Sequence, residues 1–314
     1  MAYRNATRSA VYFVAALLLS ASAHAQLFRT YLASGGNDAN PCTLAQPCRL
    51  LPAALATVAI NGEIWMLDSA NYNTATVTID KSVSILAVPG AVGSVLAIAG
   101  PAVSITASAL NVVLRNLVIG PLPGGGGLHG VSMTGASRLT IEHSLIANNS
   151  LNGVDVQGTG MVKAVETIFR NNLQAAIWLE NGATGMISRT QMLGNPSGIV
   201  AVSNTATTTR ASMTDSVISG LGSGLGVIAY STVAGADARI FVTRSTIEGT
   251  HKALGSDTPG PGSALVTVSN STIMNNDHGW SQLGGGSIVR SLGNNHIADN
   301  MFGGMGLLTP VPLQ

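Results

Sequence analysis

Apolar and small polar residues alternate along most of the chain in short runs, and the runs recur at a regular interval. The recurrence is clearest over residues 138–204. Ser144, Ile146, Asn148 and Asn149 are echoed 23 residues later by Thr167, Phe169, Asn171 and Asn172, and 23 later again by Thr190, Met192, Gly194 and Asn195. Each unit is a small hydroxyl residue, a large apolar residue two places on, and a turn of Asn or Gly. The apolar anchor returns at Ile119, Ile146, Phe169, Met192, Ile218, Ile247, Ile273 and Ile297, in steps of 27, 23, 23, 26, 29, 26 and 24 residues. A period of this length marks a stacked repeat, in which no unit buries its apolar side alone and neighbours close the core between them.

Two further alternating runs accompany each anchor, one before it (Leu139, Ile141) and one after it (Val154, Val156). Three short strands of period two per 23–29 residues, separated by Gly or Asn, predict an all-β parallel β-helix. Each coil would pair its backbone with the coils above and below, ~4.8 Å away. The general handedness of parallel crossovers makes the winding right-handed.

The N-terminal part departs from the repeat. Residues 28–32 alternate like a strand, and residues 35–41 are dense in turn formers. Residues 49–60 predict a short helix: Leu50, Leu51, Leu55 and Val58 share a face, Pro52 lies in the first turn, and Asn61 and Gly62 end it. Its expected role is to cap the open end of the solenoid, where unpaired strands and core would meet water. Short strands follow at 63–67, 76–79 and 83–86. The predicted organisation is a signal peptide at 1–25, a lead-in and capping helix at 26–62, the β-helix at 63–300, and a loose covering tail at 301–314. The glycine run 124–127 with Gly130 matches G-x-G-x-x-G through Gly125, Gly127 and Gly130. That motif needs a helix N-terminus facing a pyrophosphate. Residues 139–142 alternate like a strand instead, so the run is expected to be a loop between coils.

Composition sharpens the picture. Arg4 and Arg8, an apolar stretch at 10–19 and Ala23-His24-Ala25 form an export signal, with Gln26 as the mature N-terminus; an uncleaved anchor is the rival. Without Arg4 and Arg8 the 15 basic residues fall to 13 against 14 acidic, and the net charge moves from +1 to −1. Charged residues are 9% of the chain and Lys and Arg do not cluster, so nothing calls for nucleic acid. The uncharged stretch 82–114 is broken by Pro89, Gly90, Gly93, Gly100 and Pro101. Buried strands suit it better than a membrane span, so none is expected in the mature chain. In an exported chain Cys42 and Cys48 have one possible pairing, a disulfide. Metal binding is its rival, and no His or Asp ligands stand beside them to support it. Asp38 and Asn40 resemble a calcium loop but lack its other ligand positions. A turn held by its own side chains is expected there, and no metal site.

Stacked anchors make residues a coil apart into neighbours. Ser144, Thr167, Thr190, Ser216, Ser245 and Ser271, two before the anchor, form a hydroxyl column. Asn149, Asn172, Asn195, Asn276 and Asn300, three after it, form an amide ladder. Three before it stand His143, Glu166, Arg189, Asp215, Arg244 and Asn270, outside by parity and alternating in sign. Glu166 should lie beside Arg189, Arg189 beside Asp215, and Asp215 beside Arg244. One reading is a solvated stripe of ion pairs. The other is a catalytic or sugar-binding row, with an Arg as base or anion clamp and Glu166 and Asp215 as proton or metal partners. His251 and Asp277 each follow their anchors by four residues, near Lys252 and His278, and a His–Asp contact there can tune proton transfer. Trp178 should project outward between Ile177 and Leu179, beside Asp155 of the preceding coil, as an exposed platform for a sugar ring. Trp280 matches the inward position of Ile177.

Over residues 26–314 the chain resembles the exported right-handed parallel β-helix proteins of the pectate-lyase-like superfamily. The marks are Pro47-Cys48-Arg49 before the cap helix, residues 61–64 with 79–85 after them, and the repeated hydroxyl–x–apolar–x–Asn–Asn coil. The resemblance implies a polysaccharide partner. It also implies, for the family's enzymes, Ca²⁺-assisted elimination with an Arg base or hydrolysis by paired Asp residues. The chain has no Asp-Asp pair, no Gly-His-Gly and no Arg-x-Pro-x-x-Arg, so no family site residue carries over. The expectation is an exported, non-catalytic glycan-binding or surface scaffold protein without a cofactor. The alternative is a lyase or hydrolase acting on an acidic polysaccharide, with Ca²⁺ entering only for a lyase.

Overall fold

The computed structural model describes residues 26–220 and 222–311. The signal peptide expected at 1–25 lies outside them. Three parallel sheets wrap one apolar interior. Sheet A has 12 strands, from Leu27–Leu32 to Leu308–Pro310; sheets B and C have 10 each, ending at His296–Ile297 and Gly304–Met305. Each coil visits A, then B, then C.

All eight anchors stack in one column of sheet B. Ile146 pairs with Ile119 and Phe169, and the register runs on through Met192, Ile218, Ile247 and Ile273 to Ile297. The first seven are at most 1% exposed. Sheet A supplies a second inward column, including Ile141, Ala164, Ile187 and Met213. The interior is therefore a file of aliphatic side chains whose removal from water drives the stacking.

The corner from sheet A to sheet B is the same in each coil. His143, Glu166, Arg189, Asp215, Arg244 and Asn270 all have φ between 46° and 50°. This left-handed bend turns the chain while each N–H still reaches the next coil, as from His143 to Val165 O at 3.1 Å and from Glu166 to Ser188 O at 3.1 Å. These side chains lie outside because of the bend and not because of strand parity. Below them the hydroxyl column is buried and satisfied: Ser216 Oγ donates to Thr214 O at 2.7 Å and accepts from Thr190 N at 3.1 Å.

The corner from sheet B to sheet C is built on the Asn ladder. Asn148, Asn171, Gly194, Gly249, Asn275 and Asp299 have φ between 54° and 63°. Beside them Asn149 Nδ2 donates to Asn172 Oδ1 at 2.7 Å, and Asn172 Nδ2 to Asn195 Oδ1 at 2.9 Å. The ladder resumes from Asn276 to Asn300 at 2.9 Å.

The N-terminal cap differs in its limits from the sequence expectation. Helix α1 spans only Leu51–Thr57, with Leu51, Ala54 and Leu55 buried. Residues 58–60 join the strand Val58–Met66, drawn there by pairing with Leu27–Leu32. Asn61, at φ 63°, is an irregularity inside that strand instead of a helix stop. Lys81 Nζ donates to Leu55 O at 3.0 Å and Val58 O at 3.3 Å and so satisfies the helix C-terminus. Cys42 and Cys48 form a disulfide, with Cα atoms 4.7 Å apart. Within the turn expected at residues 35–41, Asn37 Oδ1 accepts the Ala39 N–H at 2.9 Å, while Asp38 Oδ1 reaches out of it to the N–H groups of Arg49 and Leu50 at 2.8 and 2.7 Å.

Two other segments depart from expectation. The glycine run is no loop: it ends the strand Leu117–Gly127, where Gly126 and Gly127 pair with Ala99 and Gly100. A Cβ at Gly125 would lie 2.6 Å from Ile98 O, so only glycine allows that approach. The described part of the tail, residues 301–311, is no loose cover. Gly304–Met305 and Leu308–Pro310 extend sheets C and A, and Trp280 Nε1 donates to Gly306 O at 3.2 Å while its ring packs on the core.

Candidate functional site

The charged corner column forms two separate clusters. Arg189 Nε donates to Glu166 Oε1 at 2.7 Å, and His143 Nδ1 lies 3.0 Å from Glu166 Oε2. Arg244 clamps Asp215 through Nε and Nη2 at 2.7 and 2.9 Å and also reaches Thr214 Oγ1. The expected contact between Arg189 and Asp215 does not form. Each carboxylate already holds one guanidinium, and Arg189 is committed to Glu166. These side chains are 39–58% exposed. Hydrogen bonding from Arg189 holds the Glu166 carboxyl below its ordinary range, and Arg244 does the same for Asp215. The Asp215 hydrogen bond in turn raises Arg244 further from deprotonation. Ionised, paired carboxylates are poor acids and a paired guanidinium is a poor base. An open groove of about 390 Å³ runs beside His143 and Glu166 over Val118, Leu145 and Ile168, but Arg189, Asp215 and Arg244 do not line it.

The His251–Asp277 contact does form, with Nδ1 and Oδ2 2.8 Å apart. His278 packs edge-on to His251 at 5.4 Å between centroids, and Phe302 of the tail packs on His278 at 5.2 Å. The pair ties the last coils together at a surface turn.

The outer face of sheet C is different in kind. Asp155 and Trp178 are register partners, as expected. Asp155 is only 5% exposed although it points away from the interior. Its Oδ2 accepts from Gln157 Nε2 at 3.0 Å and its Oδ1 from Asn152 Nδ2 at 3.3 Å. Trp178 is half-buried, not the free platform expected, and its Nε1 donates to Glu180 Oε1 at 2.5 Å. The ring packs with Ala175, Val200, Val202, Ile228 and Tyr230 in an apolar cluster outside the tube. Burial pushes the Asp155 carboxyl up, and the His129 charge offsets this only in part. Burial likewise pushes the His129 imidazole down. A half-buried indole beside a desolvated, hydrogen-bonded carboxyl can take the apolar face of a ring and one of its hydroxyls together.

The family described as "Right handed beta helix region" matches residues 101–257. The chain belongs to that family. Its coils therefore wind right-handed. Among solved structures, this right-handed β-helix resembles pectate lyase Pel9A with a TM-score of 0.63 at 16% identity, over 84% of this chain and 74% of that one. It resembles the alginate lyase from Paenibacillus sp. str. FPU-7 with a TM-score of 0.52 at 14% identity, over 82% of this chain and 96% of that one. At such identities the likeness is one of fold alone. No curated protein matches the chain in sequence.

Among the described residues no three His, Cys, Asp or Glu side chains converge as they would around a metal ion. Nor is any described helix long and apolar enough to cross a membrane. His129 and Glu180 were not singled out from the sequence. Glu180 was findable, two residues after Trp178 on the same face. His129 was hidden because the glycine strand that delivers it had no readable partner.

Proposed function

We propose that this right-handed β-helix is exported and binds a saccharide on the outer face of sheet C without cleaving it. The observation that carries the reading is the pairing of half-buried Trp178 with Asp155, which is withdrawn from water on a face that alternation would leave solvated. Export is supported by the Cys42–Cys48 disulfide and by the three-part pattern of residues 1–25. The absence of cleavage is supported by the state of the corner column, whose carboxylates are ionised and paired at the open surface. The test is a glycan array on residues 26–314, with and without Ca²⁺. Trp178→Ala should abolish the signal in a chain that keeps its β-sheet dichroism, with a melting temperature lowered by the packing lost from the apolar cluster. An unaffected signal would move the site elsewhere.

A second reading is cleavage of a polysaccharide. One observation favours it: Asp155 is a carboxyl held protonated more readily than usual, which suits a general acid. Product analysis decides between them. New reducing ends or unsaturated sugars, lost in Asp155→Asn, would make the protein an enzyme.

A further inference from the structure

The charge on the strands of sheet C is one-sided. Asp155, Glu180 and Asp257 stand on them against one formal cation, Lys252, the first residue of its strand. By register Lys252 lies three coils from Ala175, or ~14 Å away along the stack. No arginine stands on any strand of this sheet among the described residues. Two of the carboxylates flank the indole, Asp155 in the preceding coil and Glu180 two residues on. Sheet A has the opposite balance: Lys163, Arg210 and Arg290 have no carboxylate within 4.0 Å among the described residues.

From this we infer that the Trp178 face takes saccharides without acidic substituents, either uncharged or bearing amino groups, and rejects uronates. The inference rests on the saccharide-binding reading above. A uronate seated on Trp178 would bring its carboxylate against Glu180 and over Asp155, and like charges meeting in a partly dehydrated site are strongly disfavoured. A neutral ring can instead offer its hydroxyl hydrogens to these carboxylate oxygens. An ammonium substituent adds a charge-assisted hydrogen bond. The selection is therefore opposite to the acidic polysaccharides named for the two lyases of similar fold.

The test measures binding of equal-length oligomers of N-acetylglucosamine, glucosamine and galacturonate to residues 26–314, as wild type, Trp178→Ala and Glu180→Gln. The part of each signal that Trp178→Ala removes reports this face. The expected result is that this part is confined to the neutral and amino-sugar oligomers, with galacturonate about tenfold weaker or more. Glu180→Gln, which keeps the hydrogen-bonding shape, should narrow that gap, as should added salt. Galacturonate binding as tightly as the neutral oligomer, and lost in Trp178→Ala, overturns the selectivity alone. A panel with no Trp178-dependent signal overturns the saccharide-binding reading and this inference with it.

Discussion

Asn172 and Arg189 stand one coil apart in the repeat and have opposite roles. Asn172 is fully buried, donates to Ile146 O and Asn195 Oδ1, and accepts from Asn149. Asn172→Ala leaves several buried polar groups unsatisfied and should cost about 2–4 kcal/mol, measured by denaturant unfolding. Arg189→Ala removes one exposed hydrogen bond and should lower the melting temperature only slightly and leave any glycan binding intact. Loss of binding in that variant would return the corner column to candidacy. The two columns were not equally legible. Asn signals both a left-handed turn and a stacking amide. Glu and Arg at φ near 48° carry no such signal, because position in the coil imposes their backbone, and Asp and His carry it only weakly. Proton linkage separates the carboxylates again. Glu166 and Asp215 are depressed in the folded state, so their stabilisation is present above the ordinary carboxylate range and lost as pH falls through their folded values. Asp155 is raised, so its contribution is present at low pH and lost as pH rises through its folded value. The melting temperature of Asp155→Asn relative to wild type should thus be higher at pH 8 than at pH 4. The reverse order would contradict the burial of that carboxyl.

Among the elements, the coils were legible and their additions were not. Alternation and a repeated anchor report on a strand's own side chains, and those sufficed for the three sheets. Strand ends depend on distant partners. Residues 58–60 look helical locally but extend a strand because Leu27–Leu32 lies beside them. The glycine run looks like a loop but is held straight by Ala99 and Gly100. Trp178 alternates outward as expected, yet Val200, Ile228 and Tyr230, two coils of neighbours, bury part of it. The lead-in is the element with least core of its own, and its disulfide closes a separation of six residues. Replacing Cys42 and Cys48 together by Ser should cost about 2 kcal/mol. The loss should appear first in amide exchange of the Leu27–Leu32 strand, ahead of the central coils.

Over the whole molecule, coil length varies in some corners and not in others. From the last inward residue of sheet A to the anchor is five positions in the seven coils from Ile119 to Ile273, as in Ile141 to Ile146, Ala164 to Phe169 and Met213 to Ile218, and six in the last, from Ser291 to Ile297. The longer coils take up their extra residues chiefly between sheets C and A. The bend those seven coils share is therefore a natural splice point. Excising residues 167–189 joins Glu166 to Thr190, so that one bent residue still precedes one hydroxyl, and Asn149 then faces Asn195. The shortened chain should fold to a rod about 4.8 Å shorter, a change that small-angle scattering and far-ultraviolet dichroism would register together. Reach, in such a body, is set by how many similar layers the chain happens to encode, and a layer can be dropped without redrawing those that remain.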